Sequence, residues 1–401
     1  MENTPATPPL SGVLILDLSR VLAGPYATMM LADLGATVIK VERPGSGDDT
    51  RQWGPPWAGG ESAYYLSVNR NKKSVTLDLK QERARDILRV LAQRADVLVE
   101  NWRCGTMEAW GIGYKDLQLL NPGLIYCTIT GYGQTGPNKD RAGYDAIIQA
   151  EGGLMSITGP TEGPPMKVPI AIVDITTGML SAIAILSALY DRVHSGQGQY
   201  IDMALLDAQV AWLVNVGSNY LISGEPGGRF GNAHPNIVPY QPFATADGWI
   251  VVGVGNERHW KRLCALANWA DLESDRRFAT NPARVENRDI LVPELEGRFK
   301  SRTSEEWLAG LRNEGIPCGP INTVNQVFSD PQILARDMLV ELVHPTAGEI
   351  KMVGTPFKLS RTPAQIIAPP PLLGQHTEDV LREYLEMEDS DIKGLRDAGV
   401  I

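Results

Sequence analysis

Residues 12–42, GVLILDLSRVLAGPYATMMLADLGATVIKVE, decide the fold. The run 12–18 is apolar almost throughout, as in a strand buried on both faces of a parallel sheet. SRVLAGP (19–25) breaks the run, and Pro25 suits the first turn of a helix predicted over 25–34. ATVIKVE (36–42) then reads as a second strand, so the stretch is one βαβ unit. Working outward, the same pattern predicts strands at 74–79, 97–100, 124–130 and 168–173, and helices at 82–94, 144–149 and 177–193. Strands that alternate with helices predict an α/β fold whose large domain carries a Rossmann-like, mostly parallel sheet.

The alternation ends in SGEPGGRFGNAHPNIVP (223–239), whose glycines and prolines read as a mobile loop or a domain crossing. A hairpin follows over 242–254, turning at Asp247-Gly248. Helices are predicted at 258–267, 285–300 and 305–313, the last opened by a Thr303…Glu306 capping box. A second hairpin at 338–359 and a closing helix at 377–386 complete the chain. The expected division is a large α/β domain over 10–224, a smaller α+β domain over 225–325, and a return segment, 326–401, that completes the large one.

Composition narrows the function. The net charge of −10 argues against nucleic acid or an anionic membrane as partner, while leaving room for a local basic pocket. Cys104, Cys127, Cys264 and Cys318 include no CxxC pair, so free thiols are expected and neither a zinc site nor a disulfide framework. No metal is expected. The polar, proline-rich start, MENTPATPPL, is unlike a signal peptide, and the longest nearly uncharged run, 175–190, is short for a bilayer. A cytoplasmic protein is expected, or a mitochondrial one if a targeting segment is missing from the sequence. GxSxG, HExxH and GxxxxGK[ST] are absent. One GxGxxG occurs, Gly131 to Gly136, but Pro137 to Arg141 follow where a dinucleotide fingerprint requires a helix.

Asp174 stands in VPIAIVDITTGML (168–180), at the junction of the strand predicted over 168–173 and the apolar helix after it. An N-capping aspartate is the ordinary reading of such a position. A functional carboxylate is the other, because the flanks are apolar and Thr176 or Thr177 could cap the helix instead. Basic residues gather at the other strand ends: Arg43, Lys72, Lys73, Lys80, Arg103 and Arg141. Singly each reads as a solvated surface charge; together they suit a phosphate-bearing ligand.

GVLILDLSRVLAGPYATMMLADLGATVIKVERPGSGDDTR, NRNKKSVTLDLK, DVLVENW, ITGYGQTGP, RAGYDA and VDITTG occur in the order found in class III CoA-transferases. The chain resembles that family, the formyl-CoA transferase, carnitine CoA-transferase and α-methylacyl-CoA racemase group, from about residue 10 to PPPLLGQHTEDVL. GDDTRQWGPPW, YYLSVNRNKKS and FGNAHPNIVPYQPF resemble most the members that exchange CoA between succinyl-CoA and glutarate.

The resemblance implies an interlocked homodimer and coenzyme A as the acyl-CoA co-substrate. It implies Asp174 as nucleophile, and a CoA pocket of Val21, Leu22, Arg43, Leu77, Lys80, Asn101, Trp102, Arg141 and Tyr144. Where some members carry a later basic residue this chain has Ala109, and Arg103 is the candidate substitute. Arg229 and His234 are candidates for a dicarboxylate's distal charge, and the backbones of Gly131 to Gly133 and Gly227 to Gly231 for an oxyanion. Racemases of the group place histidine where this chain has Tyr144, and tyrosine, with a pKa of about 10, is a poor proton shuttle at neutral pH. Transfer is therefore expected ahead of racemisation or of non-catalytic CoA binding.

Overall fold

The structure is a computed structural model and describes residues 7–401, so most of the leader reading of 1–10 lies outside the described residues. The chain forms two compact units. The first runs to Gly153 and adds Val168–Val214 and Pro331–Ile401; the second is Leu154–Lys167 with Asn215–Asp330. The second unit thus begins at Asn215 rather than 225, and includes 154–167, which the sequence alone assigned to the large domain.

Six parallel strands build the first unit: β1 (Leu14–Asp17), β2 (Thr37–Glu42), β3 (Lys72–Thr76), β4 (Val97–Glu100), β5 (Ile125–Thr130) and β6 (Tyr200–Ala204). Their spatial order is β3-β2-β1-β4-β5-β6, the doubly wound order of a dinucleotide-type fold. Strand alternation divides the core. Leu14 and Leu16 face α2 (Glu82–Arg94), whereas Ile15, Val38 and Val99 face α1 (Ala23–Asp33). Shorter helices α3 (Tyr114–Leu120) and α4 (Asp145–Glu151) lead to α5 (Ile172–Ser195), and α6 (Leu205–Ala211) follows β6.

The strand expected at 168–173 does not form. These residues run irregularly into α5, which begins at Ile172, and the sixth strand is the later Tyr200–Ala204. A short apolar run has no periodicity to separate a buried strand from a buried helix entry, and the Val168 N–H is taken by the Gln149 side chain. The α5 helix has 24 residues and is long and apolar enough to cross a membrane, although the 175–190 run alone looked too short. Its Val173, Ala182, Ile185 and Leu189 are buried in the same cluster as Ala27 and Leu31 of α1. Gly178 makes that approach possible, since a Cβ there would stand 2.6 Å from the carbonyl oxygen of Ala23.

The second unit holds the expected hairpin as β7 (Tyr240–Ala244) and β8 (Trp249–Gly253), extended by β9 (Cys318–Pro320). Helices α7 (Glu257–Ala267), α8 (Arg288–Phe299) and α9 (Ser304–Asn313) enclose a core of Trp260, Phe243, Phe299 and Trp307. The capping box closes as read, with Glu306 N on Thr303 Oγ1 at 3.3 Å and Thr303 N on Glu306 Oε2 at 2.8 Å. The chain returns to the first unit through the β10 (Leu339–His344) and β11 (Gly348–Val353) hairpin, then α10 (Thr377–Leu385) and α11 (Asp389–Asp397).

Beneath the loop after β1 lies a buried charge network. Lys72 Nζ meets Asp17 Oδ2 at 3.0 Å and Lys40 Nζ meets Asp48 Oδ2 at 2.9 Å, all four side chains inaccessible to water. Lys72 also donates to the Pro25 carbonyl and to Asn69, and Lys40 to the Ser19 carbonyl. Burial alone would raise Asp17, yet Lys72 and Lys40, with hydrogen bonds from Ser19 and Thr28, hold its carboxyl well below the usual carboxylate range. Lys72 is therefore structural, not the ligand-facing cation that its place at a strand edge suggested. Replacing it by methionine strands a charged Asp17 in the core and should cost about 3–5 kcal/mol in urea unfolding. A loss below about 1 kcal/mol would show that Asp17 is not charged when folded.

Candidate active site

In this strand order β1 and β4 are neighbours whose following loops leave in opposite directions, which opens a crevice at their carboxyl ends. Two cavities occupy it. One, of about 80 Å³, is lined by Arg43, Leu77, Lys80 and Trp110 among others. The second, of about 260 Å³, is lined by Val21, Leu22, Asn101, Arg103, Cys104, Arg141, Tyr144 and Asp174 among others. Arg20 and Trp102 belong to both walls.

The two loops are tied backbone to side chain. Arg20 N donates to Asn101 Oδ1 at 2.9 Å, and Asn101 Nδ2 donates to the Arg20 carbonyl at 2.7 Å. Val21 has φ +72°, a conformation that β-branched residues rarely adopt, and its N–H reaches Asp48 Oδ1 at 3.2 Å. The Arg20 guanidinium lies over the Trp102 ring at 4.9 Å. Arg20 Nε and Trp102 Nε1 are buried without a hydrogen-bond partner, as donors awaiting a polar ligand would be. Arg43, Lys80 and Arg103 line the walls without an ion-pair partner among the described residues. A narrow apolar slot joined to a wider polar chamber, with unpaired cations at the strand ends, suits a long phosphate-bearing ligand.

Asp174 enters the wider chamber from the first turn of α5. It does not cap the helix, and neither does Thr176 or Thr177, whose hydroxyls bond back to the carbonyls of Ile172 and Val173. The cap comes from a distant side chain: Asp145 Oδ1 accepts the N–H of Val173 at 2.8 Å and of Asp174 at 3.4 Å. Gln149 holds the other Asp145 oxygen at 2.6 Å. The Asp174 carboxyl is thus left out of the cap. Burial first, and the Asp145 charge second, push its carboxyl up to about 7.

The remaining predicted residues fall as follows. Arg141 pairs with Glu151 at 2.6 Å and lies over Tyr132, at the rim of the chamber. Gly133 is not in the lining, and its N–H goes to Thr130 Oγ1 at 2.9 Å, so it is not free for an oxyanion. No helix opens after Gly136, in keeping with the rejected dinucleotide fingerprint. Lys73 pairs with Glu383, outside the cavity walls. Arg229 and His234 lie in the second unit. Arg229 donates to the carbonyls of Pro160 and Gly163, and His234 Nδ1 accepts the Asn236 N–H. Asp145 and Gln149 escaped the sequence reading because nothing local links them to a helix that starts more than twenty residues later. Arg20, inside SRVLAGP, stands at a strand end just as Arg43 does, and that position is the signal in the sequence that marks it.

Fold and crevice define a doubly wound α/β protein whose basic crevice reaches one partly buried carboxyl, Asp174. The chain belongs to CoA-transferase family III, whose family model matches residues 10–377. It is 48% identical over 393 residues to the human succinyl-CoA:glutarate CoA-transferase, covering 98% of this chain and 90% of that one. It is 46% identical to the succinate–glutarate CoA-transferase of Agrobacterium fabrum, covering 95% and 97%. Among solved structures, a CAIB/BAIF family protein from Brucella suis superposes with TM-score 0.84 at 44% identity, covering 94% of this chain and 100% of that one.

The raised Asp174 value has a thermodynamic consequence. A carboxyl that binds its proton more tightly when folded costs stability as pH rises from about 4 to 7, in full above 7. Asp174→Asn should therefore be more stable than the native protein at pH 8, by about 1–2 kcal/mol after allowance for partial exposure, and equal to it at pH 4. In Asp145→Asn the amide oxygen keeps the cap while the charge is lost. The Asp174 titration followed by ¹³C NMR should move to lower pH; no movement would remove Asp145 from the site's electrostatics.

Proposed function

We propose that this family III enzyme moves CoA from an acyl-CoA donor, succinyl-CoA by preference, to a free dicarboxylate such as glutarate, with Asp174 as the covalent carrier. The observation that carries the reading is the partly buried Asp174 carboxyl in the wall of a chamber whose other walls include unpaired cations and orphaned donors. The likeness to relatives named for succinyl-CoA and glutarate supports this choice of donor and acceptor.

In this reading CoA enters between Leu77, Arg43 and Lys80, passes Arg20 and Trp102, and brings its thioester to Asp174. The ionised Asp174 attacks the thioester carbonyl, forming a mixed anhydride as the C–S bond breaks and CoA leaves as thiolate. The thiolate attacks the aspartyl carbonyl of that anhydride, giving an aspartyl-CoA thioester and free succinate. The acceptor carboxylate attacks this thioester, re-forming an anhydride and the thiolate. Attack of the thiolate on the acceptor carbonyl yields the new acyl-CoA and restores the Asp174 carboxylate. Because the attacking form is ionised, kcat/KM should rise through pH 7 and level off above it.

The test is CoA exchange followed by mass spectrometry, with succinyl-CoA offered to a panel of free carboxylates. The native protein should form new acyl-CoA, and Asp174→Ala should be slower by about 10³-fold or more. Deuterium entering the α-position of a branched acyl-CoA, with no exchange, would instead make the protein a racemase.

A homodimer belongs to the same proposal. Met179, Ile183, Tyr190 and Val193 leave an apolar stripe exposed on α5, and Leu221 and Ile222 are more than four-fifths exposed. Light scattering should give twice the 43.7 kDa chain mass; a monomer at micromolar concentration would overturn this.

A further inference from the structure

Glu100 ends β4, one residue before the Asn101-Trp102 pair that walls the crevice, and the chemistry above makes no use of it. It is 4% exposed, and its carboxyl has no lysine or arginine partner among the described residues. Asp17, Asp48 and Glu42 around the crevice each have such a partner, Lys72, Lys40 and Arg51. Asp145, which caps α5, is like Glu100 in lacking one among the described residues. A carboxyl with no cation is costly to bury, and a leucine of similar size would avoid that cost.

Its contacts show what it holds. Glu100 Oε2 accepts the backbone N–H of Trp102 at 2.6 Å, and Oε1 accepts the Thr128 hydroxyl on β5 at 2.6 Å. The first bond spans two residues and ties the chain to Glu100 directly after the strand. It fixes the peptide that carries Trp102, whose ring lies against Trp110 at 5.1 Å and beneath the Arg20 guanidinium. The neighbouring Asn101 clamps the Arg20 backbone from the same turn. One buried carboxyl thus anchors the turn that forms the shared wall of both cavities, with β5 as its footing.

We infer that Glu100 is a positioning residue for CoA: through the Trp102 N–H and the Thr128 hydroxyl it sets the Asn101-Trp102 turn, and with it affinity for the CoA moiety but not for the acceptor acid. The inference rests on the transferase reading only in naming the ligand as CoA.

Free CoA binding by calorimetry and the KM values for succinyl-CoA and glutarate test it in three proteins. In Glu100→Leu, which lacks both acceptors, CoA should bind at least about tenfold more weakly and the KM for succinyl-CoA should rise in step. The KM for glutarate should stay within about threefold. Glu100→Gln keeps an acceptor for the Trp102 N–H and can donate to Thr128, so it should bind CoA within about threefold of the native protein. Equal CoA affinity in Glu100→Leu, or an equal rise in both KM values, would overturn the inference. Should Glu100→Leu fail to fold, Thr128→Val removes the footing alone, and CoA affinity must still fall while the glutarate KM holds. Failure of the native protein to bind CoA at all would defeat the transferase reading instead, a result distinguishable from any of these.

Discussion

The crevice depends on two ion pairs that water does not reach. Lys40–Asp48 and Lys72–Asp17 lie under the loop from Ser19 to Leu22, and both lysines also bind carbonyl oxygens of the SRVLAGP segment. That loop needs holding. Val21 sits in left-handed backbone space, at a cost of about 1–3 kcal/mol for a β-branched residue. Its N–H is taken by Asp48, which is itself fixed by Lys40. Four buried charges would be a poor choice for stability alone, since apolar side chains fill such volume at less cost. Here they specify one loop geometry at the point where the strand order reverses, and the side chains that wall the crevice inherit that geometry.

Asp174 shows the opposite arrangement. A carboxylate in the first turn of a helix gains from the helix dipole, but by only about 0.3–1 kcal/mol, less than one pH unit of acidity. Burial and the charge of Asp145 outweigh that gain, so the carboxyl rises to about 7 instead of falling below 4. Asp145 plays two parts: it supplies the helix cap that leaves Asp174 free, and its charge adds to burial in holding the Asp174 carboxyl at about 7. Asp174 is therefore less stable ionised than a surface aspartate would be.

The sequence made the sheet legible where local physics decides it. Apolar runs ending in a turn residue located β1, β2, β4 and β5 to within two residues, and the Thr303…Glu306 box located a helix start to within one. It misled where two structures share a pattern. VPIAIV has the composition of a buried strand, but Pro169 and the Asp145 cap make it the approach to a helix, while the true sixth strand, YIDMA, hides its character behind Asp202. Asp202 is there because its carboxylate accepts the Gln134 N–H across the loop, a reason no window of sequence contains.

The same division runs through the site. Residues that line the crevice from a strand end, such as Arg43, Asn101 and Trp102, are found by asking where the strands stop. Residues that make that lining possible are found only by asking which buried polar groups lack an ordinary reason. Lys72 looked like a ligand cation and is a strut, because its partner Asp17 lies 55 positions earlier in the chain. Glu100 looked like the end of a strand and holds the turn beside it. In both, the cost of removing a charge from water marks the residue, and it can be weighed only once the partner is known. A buried lysine on a carboxylate is paired. A buried glutamate on an amide and a hydroxyl is held there by the turn it shapes.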